Sequence, residues 1–586
     1  VEEKKDEVVI ALEKRISENE WDADAWTKLV SYAQKLGIDR SRGQFERAVT
    51  KYPTCARFWL AYASAELKAK NNSHVEKLFR RCLLECHSVD LWRFYLHYVK
   101  EKLKSKENTI QREEVMRAFE TALDDVAQDL DSAPIWTDYI AYLNRNTSDA
   151  NIVDRGTRIT LLRKVYQRAI VVPMNGLEGI WKHYEAFENE TDKLLAQERM
   201  IPMNAPKFHA ARAVYRERKQ RYEGIARTGL ARPMAQDAMG DDLMRQVKLW
   251  KRLLGYERSN SQRLSKEEWN KRMGLTYGQC LLNLRYVPDL WHEAALFHQE
   301  VGQSEESERV YEAGVKANPG SVVLRLAFAS FMEERGQLEE ANGLYEAALE
   351  YFSDAEGPGA TQDAESKKSR VTLLYVQYML FSRRAFGVDR ARKVFIRAGK
   401  SPLVTHHMYA ASAMMEYFVS KDARVARNIF ELGLKKFNEP EYARKYVELL
   451  MHLNEDNNTR VLFERVLNRA KERAAELARQ DEETGEDETR KYEMDVAGLW
   501  EDFIAFEALC GDMNVVSKLE ERRDDALPST AQSGLMRVIC RFRYGDLWPC
   551  TSAELETARV VAREESAFAQ QAGAGGGAGG AGGDAT

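Results

Sequence analysis

Tryptophan recurs at Trp26, Trp59 and Trp92 with a spacing of 33 residues, and each opens an aromatic-rich amphipathic segment. In the second of these units Trp59, Tyr62, Ala63, Glu66 and Leu67 fall at i, i+3, i+4, i+7 and i+8, the stripe of a helix. After the polar break Lys70-Asn71-Asn72, a second stripe follows at Val75, Leu78, Phe79, Cys82 and Leu83. No sustained alternation with period two is present, so the unit is a helical hairpin and not a strand pair. The pattern continues through Trp136/Tyr139, Trp181/Tyr184, Trp250, Trp291, Tyr375/Tyr378, Tyr409 and Trp500/Phe503. The companion helices carry an aromatic, then an acid or amide, and often Arg-Ala, as in Phe45-Glu46-Arg47-Ala48 and Tyr166-Gln167-Arg168-Ala169. Prolines at Pro53, Pro173, Pro319 and Pro440 follow these second helices, where a helix must stop.

A lone hairpin cannot bury two aromatic stripes, whereas stacked hairpins bury them in one continuous core. The expected fold is therefore all-α, an α–α superhelix of eleven or twelve hairpins between residues 20 and 545, arranged in two arms. Trp26, Trp59, Trp92, Trp136, Trp181, Trp250, Trp291 and Trp500 are read as core markers, because they occupy a fixed repeat position. Glu66, Glu188 and Glu507 each stand seven residues after the aromatic opener and are expected to bond neighbouring Arg or Tyr groups, since an unpaired buried carboxylate is costly.

These residues resemble the half-a-TPR, or HAT, repeat of RNA-processing scaffolds. Longer stretches narrow the resemblance to the suppressor-of-forked family of HAT-repeat proteins. They include Thr405-His406-His407-Met408-Tyr409, Phe430-Glu431-Leu432-Gly433-Leu434-Lys435-Lys436, His452 to Val466, Val75 to Leu83 and Asp546-Leu547-Trp548-Pro549-Cys550. The likeness runs over roughly residues 10 to 556 and reaches into loops that helix packing does not dictate. It implies a nuclear, non-catalytic scaffold of pre-mRNA 3′-end cleavage and polyadenylation, homodimeric through a C-terminal HAT block. The implied partners are the RRM-containing and WD40 subunits of cleavage stimulation factor and the cleavage and polyadenylation specificity factor, with RNA contacted mostly indirectly. Family members carry a Pro-rich segment after the repeats that captures other subunits; here Gly573 to Gly583 is Gly/Ala-rich and no proline follows Pro549. Two alternatives stay open: another HAT-repeat RNA-processing scaffold, and a solenoid that binds RNA directly.

The Trp181 to Trp250 interval is about twice one repeat and contains Pro202, Pro206, Gly224, Gly229 and Pro233. The expected organisation is a helical lead-in at 1–19, an N-terminal HAT block at 20–235, a C-terminal block at 236–556 and a disordered Gly/Ala-rich tail at 557–586. The long fifth repeat is expected to place its second helix from about Ala210 to Tyr222. Asp354 to Arg370 reads as a surface loop, and Ala470 to Arg490 as a helix extension passing into an acidic loop.

Composition narrows the chemistry. A formal net charge of -5 gives no global attraction for polyanions, so any nucleic-acid contact must be local. The richest cluster is Arg212, Arg216, Arg218, Lys219, Arg221, Arg227 and Arg232, with Tyr215 and Tyr222 interleaved. Such a set holds phosphates while its rings stack on bases. The preferred reading is nevertheless a solvated face paired with Glu217 and Glu223. Cys82, Cys86 and His87 lack the fourth ligand of a closed zinc site, and His406-His407 lack the H-E-x-x-H spacing. No catalytic, cofactor-binding or metal residue is assigned. The seven cysteines are odd in number and scattered, the pattern of reduced, packed thiols inside a cell. No apolar run approaches a membrane span, and the chain opens Val1-Glu2-Glu3 with neither an initiator Met nor a secretory core.

Ala410 to Phe418 and Tyr446 to Leu453 are apolar beyond one helical stripe and need extra cover. Tyr409, Met414, Met415, Tyr417, Phe418, Tyr446, Leu449, Leu450 and Leu453 are accordingly the dimer-interface candidates.

Overall fold

The computed structural model describes residues 2–103, 108–146, 152–233, 240–354, 364–437, 439–484, 488–527 and 534–574. Among them helices are the regular secondary structure, joined by short turns and loops, and the sole strand-like feature is an isolated bridge between Tyr544 and Leu547. Twelve hairpins follow one another from Ala23–Leu36 with Ile38–Lys51 to Glu488–Cys510 with Met513–Ala526. The chain parts into two compact units, Val1–Phe331 and Met332–Thr586.

The eight marker tryptophans are all buried. Each position of the second-helix signature has a separate task in joining one hairpin to the next. Its aromatic stacks on the first-helix aromatic of the following hairpin: Phe45 on Tyr62 at 5.2 Å, Phe119 on Tyr139 at 4.7 Å, Phe463 on Phe503 at 4.5 Å. Its acid accepts from the next hairpin. Glu46 takes the Tyr62 hydroxyl at 3.0 Å and Arg81 at 3.1 Å, and Glu120 takes Tyr139 at 3.2 Å and Arg168 at 2.8 Å. Its arginine lies over the tryptophan of its own hairpin, as with Arg81 on Trp59 and Arg168 on Trp136. The alanine, as at Ala48 and Ala169, is fully buried and lets the helices approach.

The recurring first-helix glutamates form a second link. Arg42 grips Glu66 through two bonds, at 2.8 and 3.3 Å, and Arg163 grips Glu188 at 2.8 and 2.6 Å. In the C-terminal unit Arg460 does the same for Glu507 at 2.6 and 3.2 Å. Arg392 holds Glu416 at 2.7 and 2.8 Å, a fourth member that sequence reading passed over because its helix opens on Tyr409 and not on Trp. Each buried carboxylate thus has a forked partner, which is the condition for tolerating it.

Several local expectations change. The second helix of the fifth hairpin runs Ile201–Tyr222, starting well before Ala210 and following a π turn at Ala196–Met200. The helical run is continuous from Lys193, so Pro202 and Pro206 fall inside it, and the π turn immediately before Pro202 marks where the i→i−4 ladder is interrupted. Part of the segment read as a surface loop, from Ala364 onward, belongs to the helix Ala364–Phe386; residues 355–363 lie outside the described residues. The charged segment is helical to Thr484 and again from Glu488, with 485–487 outside the described residues. The start of the tail is helical as well, since Ser552–Ala574 is one helix. Its Ala, Glu, Gln and Arg residues are strong helix formers, and the Gly run begins only later. Residues 575–586, like the block boundary at 235/236, lie outside the described residues. Cys55, Cys82, Cys86 and Cys280 are buried free thiols, whereas Cys510 is exposed. No helix among the described residues is long and apolar enough to cross a membrane.

Candidate interaction surfaces

The basic segment 212–232 is not one solvated face. Ala211, Val214, Arg218 and Tyr222 form the buried stripe of Ile201–Tyr222, so Arg218 points into the protein and is 1% exposed. Its Nε donates to Glu257 at 2.6 Å, and its terminal nitrogens donate to the carbonyls of Pro173 at 3.1 Å and Gln128 at 3.3 Å. Arg227 grips Asp129 at 2.9 and 3.0 Å and reaches Asp131 at 2.5 Å. Arg212 pairs with Glu178 at 2.8 Å, and Arg221 lies 5.3 Å from the Tyr256 ring. Glu217 accepts from the Tyr256 hydroxyl at 2.8 Å and so faces a later helix. Of the seven cations in the segment, Arg216 and Lys219 alone are exposed.

These contacts fasten helices Gly240–Arg258 and Lys266–Asn283 to the earlier hairpins. Gln279 bonds Asp129, Arg272 donates to Gln128 at 3.0 Å and Gln262 at 2.7 Å, and Lys271 reaches Asp124 at 2.8 Å. Burial, and after it the neighbouring Arg218, draws Arg272 down to about 10, which leaves it charged at neutral pH. Thr54 donates to the Leu282 carbonyl at 2.9 Å, and Trp21 meets Tyr286 edge-on at 5.2 Å. The cleft left along this seam, 390 Å³ in volume, is lined by Thr54, His87, Asp129, Arg227 and Gln279 among others. Asp129 and Arg227 are paired with one another across it.

The Cys-Cys-His cluster is likewise internal. Burial pushes the Cys82 thiol up to about 12 and holds Cys86 well above its ordinary value, so neither is poised as a thiolate ligand. Burial acts to lower the His87 pKa, but Asp125 at 2.6 Å outweighs it and raises it. That same carboxylate takes the Trp92 indole at 2.6 Å. His406, His407 and Glu441 bring ligand atoms within 4.8 Å of one another. The two rings, however, stack 4.1 Å apart at 25°, so their in-plane lone pairs run side by side and do not converge on one ion. Burial holds His406 down to about 4.

Of the dimer-interface candidates, Tyr409, Met415, Tyr446, Leu449 and Leu450 are buried within the chain's own C-terminal unit. Met414, Tyr417 and Leu453 are half-buried. Phe418 is 62% exposed, and Val419, Leu432, Met451 and Val461 join it as exposed apolar side chains. Tyr417 links two neighbouring hairpins through its edge contact with His452 at 5.8 Å.

Stacked helical hairpins that share aromatic and Arg–Glu links define a HAT-type helical-repeat protein, whose polar signature residues join one repeat to the next. The chain belongs to the suppressor of forked protein (Suf) family, whose model matches residues 7–555. Cleavage stimulation factor subunit 77 of Arabidopsis thaliana is 38% identical over 535 residues, which cover 89% of this chain and 66% of that protein. Protein suppressor of forked of Drosophila melanogaster is 33% identical over 580 residues, covering 92% of this chain and 72% of that one. The mRNA 3′-end-processing protein RNA14 of Cryptococcus neoformans is 29% identical, and the match spans 92% of this chain but 55% of the relative. The crystal structure of CstF-77 shares the fold, with a TM-score of 0.52 at 20% identity, covering 84% of this chain and 97% of that one.

Proposed function

We propose that this chain is a non-catalytic scaffold of pre-mRNA 3′-end cleavage and polyadenylation, acting in the nucleus. The observation that carries the reading is family membership over residues 7–555, with relatives named for cleavage stimulation and mRNA 3′-end processing. The use of the repeated Trp, Arg and Glu residues in joining hairpins supports a binding role over chemistry, because they are the chain's recurrent polar and aromatic groups and they already have partners. In this reading the C-terminal HAT block, residues 236–556, forms a homodimer, and the chain bridges the RRM-containing and WD40 subunits of cleavage stimulation factor to the cleavage and polyadenylation specificity factor. Phe418, Val419, Met451 and Val461 are the exposed apolar residues that support the dimer.

Affinity purification of the tagged full chain from nuclear extract, with identification of what co-purifies, tests the reading. Recovery of the RRM and WD40 subunits with a second, untagged copy of the chain is the expected result. Recovery of splicing or ribosome-assembly proteins in their place would overturn it.

A further inference from the structure

A second basic cluster lies in the C-terminal unit. Residues 383–400 contain Arg383, Arg384, Arg390, Arg392, Lys393, Arg397 and Lys400 against the single carboxylate Asp389, within a chain whose net charge is -5. Helix Val388–Gly399 buries Ala391, Val394 and Ala398. At 100° per residue, Arg390, Lys393, Arg397 and Lys400 fall within an arc of about 80° whose centre lies about 110° round the helix from that of the buried residues. All four are exposed. With a rise of 1.5 Å per residue they form a row about 15 Å long.

The row is sparsely neutralised. Arg392 is outside the arc and is held by Glu416 at 2.7 Å and by Asp389 at 3.3 Å. Arg384 is held by Glu333 at 2.7 Å. Within the row, Arg397 has Glu346 only at 3.7 Å, Arg390 rests 6.0 Å from the Phe386 ring, and Lys393 and Lys400 have no ion pair among the described residues. The row is extended at its end by Lys436, which donates to the Gly399 carbonyl at 3.3 Å.

We infer that Arg390, Lys393, Arg397, Lys400 and Lys436 form a binding ridge for the phosphate backbone of single-stranded RNA. A row of cations repeating every three or four residues, without interleaved carboxylates, matches a chain of evenly spaced phosphates. A folded protein partner is usually anchored on apolar or aromatic side chains, and here Ile396 is the one exposed large apolar residue of the helix. Such a ridge neutralises phosphates without reading bases, so the binding is sequence-tolerant and salt-sensitive. The inference does not depend on the scaffold reading, since it concerns the charge arrangement of one helix.

The test uses the full chain and a fluorescent single-stranded RNA of about 20 nucleotides, titrated from about 50 to 200 mM salt. Five phosphate contacts predict an affinity falling about 130-fold across that range. Replacing Arg390, Lys393, Arg397 and Lys400 together by Glu is expected to weaken binding at least about tenfold at the lower salt, and to flatten the log–log salt slope by about 3. The corresponding Gln variant, which keeps helix propensity and adds no repulsion, is expected to flatten the slope equally. Arg216→Glu with Lys219→Glu reverses two charges elsewhere, half as many, and is expected to leave affinity unchanged. Wild-type protein that fails to bind RNA, or that binds polyglutamate in preference to it, overturns the inference. So does an unchanged slope in the Gln variant, or an equal loss in the Arg216/Lys219 control.

Discussion

Segments 212–232 and 383–400 contain seven cations each, yet they use them in opposite ways. In the first, Arg218 and Arg227 face inward and meet Glu257, Asp129 and Asp131, and the segment ties helices 240–258 and 266–283 to earlier repeats. In the second, carboxylates hold Arg384 and Arg392 at the edges, while the central row stays outside. Charge count therefore does not distinguish fastening from binding. What distinguishes them is whether the cation falls on the buried stripe of its helix and whether a carboxylate is delivered to it from another element.

The comparison breaks first at Arg218. Arg218→Met leaves Glu257 buried and unpaired, and is expected to destabilise the N-terminal unit by about 3–5 kcal/mol. The check is the midpoint and slope of urea unfolding, and a loss below about 1 kcal/mol would return Arg218 to the solvated face. A smaller effect is expected from Asp129→Asn, which weakens the grip on Arg227: about 2 kcal/mol, read the same way.

In the C-terminal unit Glu416→Gln is expected to cost about 1–2 kcal/mol at neutral pH. The Arg392 hydrogen bonds hold the Glu416 carboxyl below its ordinary value of 4.5, against the opposing effect of burial. A depressed folded-state pKa gives stability that is fully present above the unfolded value and is lost as pH falls through the folded one. The difference between wild type and variant should therefore shrink below about pH 4.5. A difference that stayed constant down to the acid transition would contradict the pairing. Least affected should be Arg216→Glu with Lys219→Glu, within about 0.5 kcal/mol of wild type, because both side chains are exposed.

The hairpins, their tryptophans and the role of Glu66, Glu188 and Glu507 were legible because each recurs at a fixed repeat position, and repetition in sequence is repetition of environment. The partners of Arg218 and Arg227 were not. Glu257 is 39 residues from Arg218, and Asp129 is 98 residues from Arg227, in elements that break the repeat spacing. One signal was present all the same: Ala211, Val214, Arg218 and Tyr222 share a helical stripe, so Arg218 belongs with the buried residues. The ridge at Arg390 to Lys400 was readable by the same stripe rule. It was passed over because its one interleaved aromatic, Phe395, belongs to the repeat packing, meeting Tyr409 edge-on at 5.3 Å, and base stacking is a cue that backbone binding does not need. The start of the tail was misread because composition was averaged across a helix-forming stretch and the glycines beyond it.

The claim that the basic segment of the N-terminal unit is a fastener and not a surface is tested most directly by a double-mutant cycle on Arg218→Met and Glu257→Leu. The two groups meet at 2.6 Å with both side chains nearly inaccessible. Each single substitution is expected to cost about 3–5 kcal/mol, and the double variant should recover most of one loss, because an apolar pair replaces a buried ion pair without leaving a bare charge. Additive losses, with no coupling between the two positions, would contradict the account.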